Sequence, residues 1–439
     1  MEPASNIPEL VNLLDPWQPL QHGDRNLYVP IFDGVIEDLR DSVLYDAKHT
    51  QTRFVAGQPG TGKTTALNFV ADEVVRANFS VRFIRAKEAI DIADVDIIDV
   101  LLILAFKLVE GHPILEPHLL EKLLNLQRAE EGVVTEPREN ERLAPRKQAQ
   151  DAEDEGTRQK PMIRFNQRFF TRLFQDKTYR QMARDAFRLK KSDLLDLVND
   201  LILEYELQSK GRRVLLILDD LEKIQAQPQI KRLFGDDRQF LLGLRCKKII
   251  TIPVHLAFRP ESLSVNQEIH KIGLTLNVNP TTEGDLAECP TNSEANKKIL
   301  RQILRNRMAA DADLVSDDAI DEAIHYSGGI LRQYLAILHA AARDARRQAG
   351  VRVDREHVVR GRRKLADIQA RTITSLSQIQ FLEGVRLKNI PSSLESKSFV
   401  EALLSNQIVS CQSGVPSYIV NPLIENTVRV CAARENASP

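Results

Sequence analysis

The chain has 439 residues, with 60 Lys and Arg against 61 Asp and Glu. That length fits two or three domains, and the balanced charge leaves no global basic excess for coating nucleic acid. Its cysteines, Cys246, Cys289, Cys411 and Cys431, form no C-x-x-C pair, so neither a disulfide framework nor a zinc site is expected and a reducing cytoplasm is the natural compartment.

Residues 1–13 lack the basic start and apolar run of a signal peptide. No apolar stretch approaches the ~20 residues that span a bilayer, so no membrane partner is expected. Pro3, Pro8, Pro16 and Pro19 break up the first segment, and helical apolar spacing starts at Val35–Leu44. Residues 1–50 read as an N-terminal arm.

The next stretch organises the rest. An apolar run, Arg53-Phe54-Val55-Ala56, leads into Gly57-Gln58-Pro59-Gly60-Thr61-Gly62-Lys63-Thr64-Thr65 and then a helical pattern to Val74. This is G-x-x-x-x-G-K-T between a strand and a helix, the Walker A phosphate-binding loop. Glycines let backbone N–H groups wrap a triphosphate, and the helix N-terminus adds its dipole. Lys63 is expected on the β- and γ-phosphates and the Thr64 hydroxyl on Mg²⁺. ATP with Mg²⁺ is the expected ligand. Residues 24–36, just before this strand, are candidates to pack over the adenine; an ordinary arm on the core is the alternative.

Ser80–Ala86 reads as a strand and Asp91–Val109 as a helix, the alternation of a parallel sheet. Residues 127–160 are dense in charge and poor in large apolar residues, so a charged insertion is expected there, a solvated linker or a docking loop. Helical spacing returns over 163–209, where Phe165, Phe169, Phe170 and Phe174 read as packing.

Arg213–Asp220 carries five consecutive apolar residues and ends in Asp219-Asp220. A strand buried on both faces, with acids at its carboxyl end, is a Walker B pattern. Asp219 is expected to hold the Mg²⁺ shell and Asp220 to polarise the attacking water, with Glu222 in reserve. Residues 247–259 read as the next core strand, with Pro253 forcing an irregularity. Arg259 lies where a γ-phosphate sensor would sit, His255 reads as packed, and Arg245 and Arg259 are candidates for an arginine finger.

Walker A, Leu218–Lys223 and Ser327-Gly328-Gly329-Ile330-Leu331-Arg332 together resemble the AAA+/STAND group of P-loop ATPases. The likeness covers roughly residues 24–345. It implies an α/β fold, with a parallel sheet flanked by helices followed by a small helical lid whose Arg332 senses the γ-phosphate. Asp-Asp stands where Asp-Glu is usual, closer to the STAND side.

The expected domains are an ATPase core over 51–275, a lid over 276–365 and a winged-helix domain over 366–439. The last rests on helices near 379–382 and 398–404, strands 408–411 and 418–421, and a short helix from Pro422. Residues 392–405 offer only Lys397 to a DNA groove, whereas Arg360–Lys364 is basic. Two functions follow. One is an ATP-driven, homo-oligomerising switch acting through a separate effector protein, with bacterial antiphage defence as one setting. The other is a DNA-binding ATPase of the replication-initiator or transposition-regulator type.

Overall fold

A computed structural model describes residues 1–31, 33–46, 48–128, 176–258, 269–271, 293–388, 396–411 and 417–436. These divide into two compact units. Met1–Lys87, Arg212–Asp236 and Cys246–Pro439 form the first, and Glu88–Gly211 with Asp237–Arg245 the second.

In the first unit, β1 (Thr52–Ala56), β2 (Ser80–Arg85), β3 (Val214–Asp219), β4 (Lys247–Ile252) and β5 (Ile269–Lys271) form a parallel sheet in the order β2-β3-β4-β1-β5. Every residue of β3 and β4 is buried, as their unbroken apolar runs require. Because β4 lies between β3 and β1, the loop after β1 and the acids after β3 leave the sheet on either side of its end. The parallel sheet with helices is the fold class expected. Strand β4 stops at Ile252, short of the expected Phe258, since Pro253 has no N–H for the ladder.

Helix α1 (Ile7–Leu13) and α2 (Asp33–Tyr45) take the N-terminal arm to two places. Leu39 and Val43 of α2 pack with Leu67, Val70 and Val74 of α3 (Lys63–Arg76) beside the sheet. Leu10 and Leu14 pack instead with helices that come much later in the chain.

The second unit holds α4 (Ile97–Val109), α5 (Leu115–Arg128), α6 (Lys177–Phe187) and α7 (Lys191–Gln208). Asp96 caps α4, accepting from the Ile98 N–H, which is why the helix starts six residues later than its pattern. Arg184 bonds both oxygens of the buried Asp99. The expected charged insertion from 129 onward and the aromatic cluster at 165–174 lie outside the described residues.

Back in the first unit, α8 (Ser293–Arg305), α9 (Asp317–Ser327), α10 (Leu331–Arg347) and α11 (Arg355–Ala370) form a helical cluster around Leu304, Ile320, Tyr334, Ile337 and Leu338. The Ser316 side chain caps α9. Gly328 and Gly329 then take φ of 56° and 81°, a turn only glycine adopts without strain, and α10 starts at once.

Helices α12 (Leu376–Lys388), α13 (Lys397–Leu404) and α14 (Glu425–Asn436) enclose the antiparallel hairpin of β6 (Ile408–Cys411) and β7 (Ser417–Val420). Their core holds Leu382, Phe399, Leu403, Tyr418 and Ile424. The expected strands are in place, and the final helix is longer than expected. Among the described residues, no helix is long and apolar enough to cross a membrane.

Candidate nucleotide-binding site

Pro59 to Ala66 line a cleft together with Asp220 and Glu222 after β3, parts of the N-terminal arm from Pro16 to Leu20 and from Leu27 to Ile36, and residues of α8 and α10 with Arg307. Gly60 and Gly62 have φ of 89° and 101°. A Cβ on Gly60 would meet Arg332 Cβ at 2.7 Å, and the Arg332 N–H donates to the Gly60 carbonyl at 2.9 Å. The glycine here lets the loop and the start of α10 touch backbone to backbone.

Lys63 opens α3 and is buried, its ammonium donating to the carbonyls of Gly57 at 2.9 Å and Gln58 at 3.0 Å. Burial pulls its pKa down, against the pull of Glu222 and Asp219. Thr64 Oγ1 donates to Asp219 Oδ2 at 2.7 Å. Asp219, Asp220 and Glu222 bring their carboxylates within 4.8 Å of one another. Burial, with the neighbouring Glu222 and Asp220, pushes Asp219 up to about 6. Asp219 Oδ1, Asp220 Oδ2 and Glu222 Oε2 are buried with no hydrogen-bond partner among the described residues. Three such oxygens beside a threonine hydroxyl fit an oxygen-seeking divalent cation such as Mg²⁺.

The two candidate bases differ in their surroundings. Asp220 stands at φ 74° and is ion-paired with Lys223. Glu222 lies 3.6 Å from Lys63 Nζ. Burial alone would raise its pKa, but Lys63, with the neighbouring Thr251 hydroxyl, outweighs it and holds Glu222 below the usual carboxylate range. Thr251, at the end of β4, drew no attention in the sequence. Its only signal was one hydroxyl inside the apolar run Ile249-Ile250-Thr251-Ile252.

At the other end the lining is mostly apolar, with Leu20, Leu27, Tyr28, Ile36 and Leu335. Tyr28 rests on Phe69, ring centroids 4.1 Å apart. The Arg332 guanidinium lies 4.9 Å from the centre of the Trp17 ring, which is 72% exposed. Arg307 is buried, bonded to the carbonyls of Leu13 and Ile303. Burial lowers its pKa to about 10.

The structure thus brings Pro59 to Thr65, Asp220, Glu222 and Arg332 to one cleft, with Asp219 behind them. Gly57 and Gln58 do not line it; they supply carbonyls to Lys63, and the Gln58 side chain is buried elsewhere. Arg259 lies outside the described residues. His255 is buried in the turn after β4, and Arg245 is exposed. Residues 27–29, 31 and 36 do line the cleft, but Pro16 to Leu20, Ile303 and Arg307 join them without any motif to announce them.

No family model and no curated protein sequence matches the chain. Several solved structures are similar in chain path. A Walker-type ATPase of Pyrococcus abyssi aligns at 12% identity over 95% of this chain and 99% of that one, TM-score 0.48. Cdc6p of Pyrobaculum aerophilum aligns at 11% over 97% and 98%, TM-score 0.42. The Aeropyrum pernix ORC1 protein, solved in complex with DNA, aligns at 13% over 96% and 98%, TM-score 0.41. At these identities and scores the likeness concerns the path of the chain alone.

Proposed function

We propose that this protein is an ATP-binding and ATP-hydrolysing switch of the AAA+ kind, in which the helical cluster of residues 293–370 acts as a lid that reads the bound phosphates. One observation supports it above the rest: Lys63, Thr64, Glu222 and Arg332 line one cleft, and Asp219 behind them accepts from Thr64. In this reading Lys63 neutralises the β- and γ-phosphates. Thr64 and Asp219 hold Mg²⁺, which neutralises phosphate charge when bound. Arg332 reports the γ-phosphate to α10 because its own backbone is tied to Gly60.

Glu222 is our choice for the residue that polarises water. It is buried and kept ionised by Lys63, whereas Asp220 is engaged by Lys223. Magnesium-dependent turnover of ATP tests both. Glu222→Gln should slow it by on the order of 100-fold with ATP affinity retained, and Asp220→Asn by roughly tenfold or less. Equal losses would return the role to Asp220. No turnover by the parent, with ATP bound, would reduce the protein to a nucleotide-dependent scaffold.

Homo-oligomerisation on ATP, with control of a separate effector protein, is the proposed output. Duplex DNA is the second reading, resting on Arg363 and Lys364, which are exposed on α11, and on a winged-helix assignment for residues 366–439. Against it, Arg360 donates to Asp344, Arg362 donates to Glu322, and Lys397 pairs with Glu401. Mass photometry with Mg²⁺ and ATP, with and without duplex DNA, separates the two. The defence setting has no support in the comparisons and is not proposed.

A further inference from the structure

Gln58 is the second residue of the phosphate-binding loop, yet its side chain is fully buried in the C-terminal helices and hairpin. Its Nε2 donates to the carbonyls of Ile408 at 2.8 Å and Leu403 at 3.3 Å. Its Oε1 accepts from the Ser410 N–H at 2.9 Å and the Ser410 hydroxyl at 3.2 Å. Four bonds use both donors and both lone pairs of the amide, so this is a fitted socket rather than a passing contact. Next to it, Asn406 Nδ2 donates to the Pro59 carbonyl at 3.0 Å.

The contact closes into a ring. Asn421 donates from its backbone to the Gln407 carbonyl at 2.8 Å and exchanges two amide hydrogen bonds with Gln333, each 2.9 Å. Gln333 follows Arg332, whose N–H returns to Gly60. A Cβ on Gly328 would meet Pro422 Cδ at 3.0 Å. The phosphate loop, the start of α10 and the module of residues 396–436 therefore hold one another pairwise. No described residue of that module lines the cleft.

We propose that Gln58 couples occupancy of the phosphate loop to docking of the C-terminal module, so that each strengthens the other. The proposal rests on the nucleotide-binding reading above and adds its regulation. Gln58 acts as a positioning residue. Its carbonyl accepts from Lys63 and Thr61 at 3.0 Å each, while its amide grips the module. A loop already fixed by the module loses less freedom on closing around phosphates. Linkage then demands the reverse effect: phosphates that order the loop hold the module more tightly. A partner that pulls the module away would loosen nucleotide, and this gives the switch an input.

The test is hydrogen exchange on the full chain, with and without Mg²⁺ and a non-hydrolysable ATP analogue, alongside calorimetric affinity for the analogue. In the parent, the analogue should slow exchange over residues 396–411 by roughly fivefold or more. In Gln58→Met, which keeps the bulk and loses the amide, that response should vanish, and affinity should fall by roughly fivefold or more. Ser410→Ala, which removes one bond of four, should give a smaller loss of the same kind and serves if Gln58→Met fails to fold. A parent that binds the analogue without slowing 396–411 overturns the coupling alone. So does a folded Gln58→Met, or failing that Ser410→Ala, that behaves as the parent. A parent that binds no nucleotide overturns the coupling and the proposed function together.

Discussion

The two ends of the cleft are built in opposite ways. The glycine-rich end, where phosphates are proposed to sit, comes from one contiguous stretch, Pro59 to Ala66, completed by acids that leave the same sheet after β3. The apolar end is assembled from Leu20, Leu27 to Val29, Ile31 and Ile36 near the start of the chain and from Ile303 and Leu335 far later in it. Phosphate binding uses backbone N–H groups, a helix terminus and a fixed lysine, so local spacing suffices. Enclosing a base needs only apolar bulk and shape, which many segments can supply, so no pattern marks them.

If that contrast is right, losses at the phosphate end should be large and indifferent to the base. Lys63→Ala should weaken ATP and GTP alike by on the order of 100-fold, read by calorimetry. Normal ATP binding by this variant would refute the phosphate-loop assignment. Arg332→Ala should erase roughly a tenfold preference for ATP over ADP, because only the γ-phosphate would lose a partner. An unchanged ratio would leave Arg332 as a tie between loop and lid and no more.

Thr251→Val should keep nucleotide affinity and slow hydrolysis by roughly fivefold, since it removes a hydroxyl that helps hold Glu222 ionised and touches no phosphate. A fall in affinity with unchanged turnover would place Thr251 in binding instead. Trp17→Ala probes the other end. It should cost no more than roughly threefold in affinity, because its contact with Arg332 is exposed and such contacts are weak at the surface. A loss as large as that of Lys63→Ala would break the contrast between the two ends.

Much of the frame was legible in the sequence for simple reasons. Strand β3 is an unbroken apolar run, which only a doubly covered strand tolerates, and its two terminal acids mark the sheet edge where ligands gather. The β6–β7 hairpin and the turn before α10 announced themselves through alternation and through Gly328-Gly329. Helix and strand limits were less legible where a single residue decided them, as Asp96 does for α4 and Pro253 for β4.

The sequence by itself determined the glycine-rich loop between β1 and α3, the acids after β3 and the parallel sheet between them, because each depends on backbone geometry that neighbouring residues impose. Only the tertiary structure decided that Glu222 rather than Asp220 stands beside Lys63, and that residues 16–20, Ile303 and Arg307 share its cleft. It alone decided that Gln58 faces the C-terminal module. Those are matters of which side chains meet across hundreds of residues, and side chains that meet only through packing leave no period or spacing in the chain.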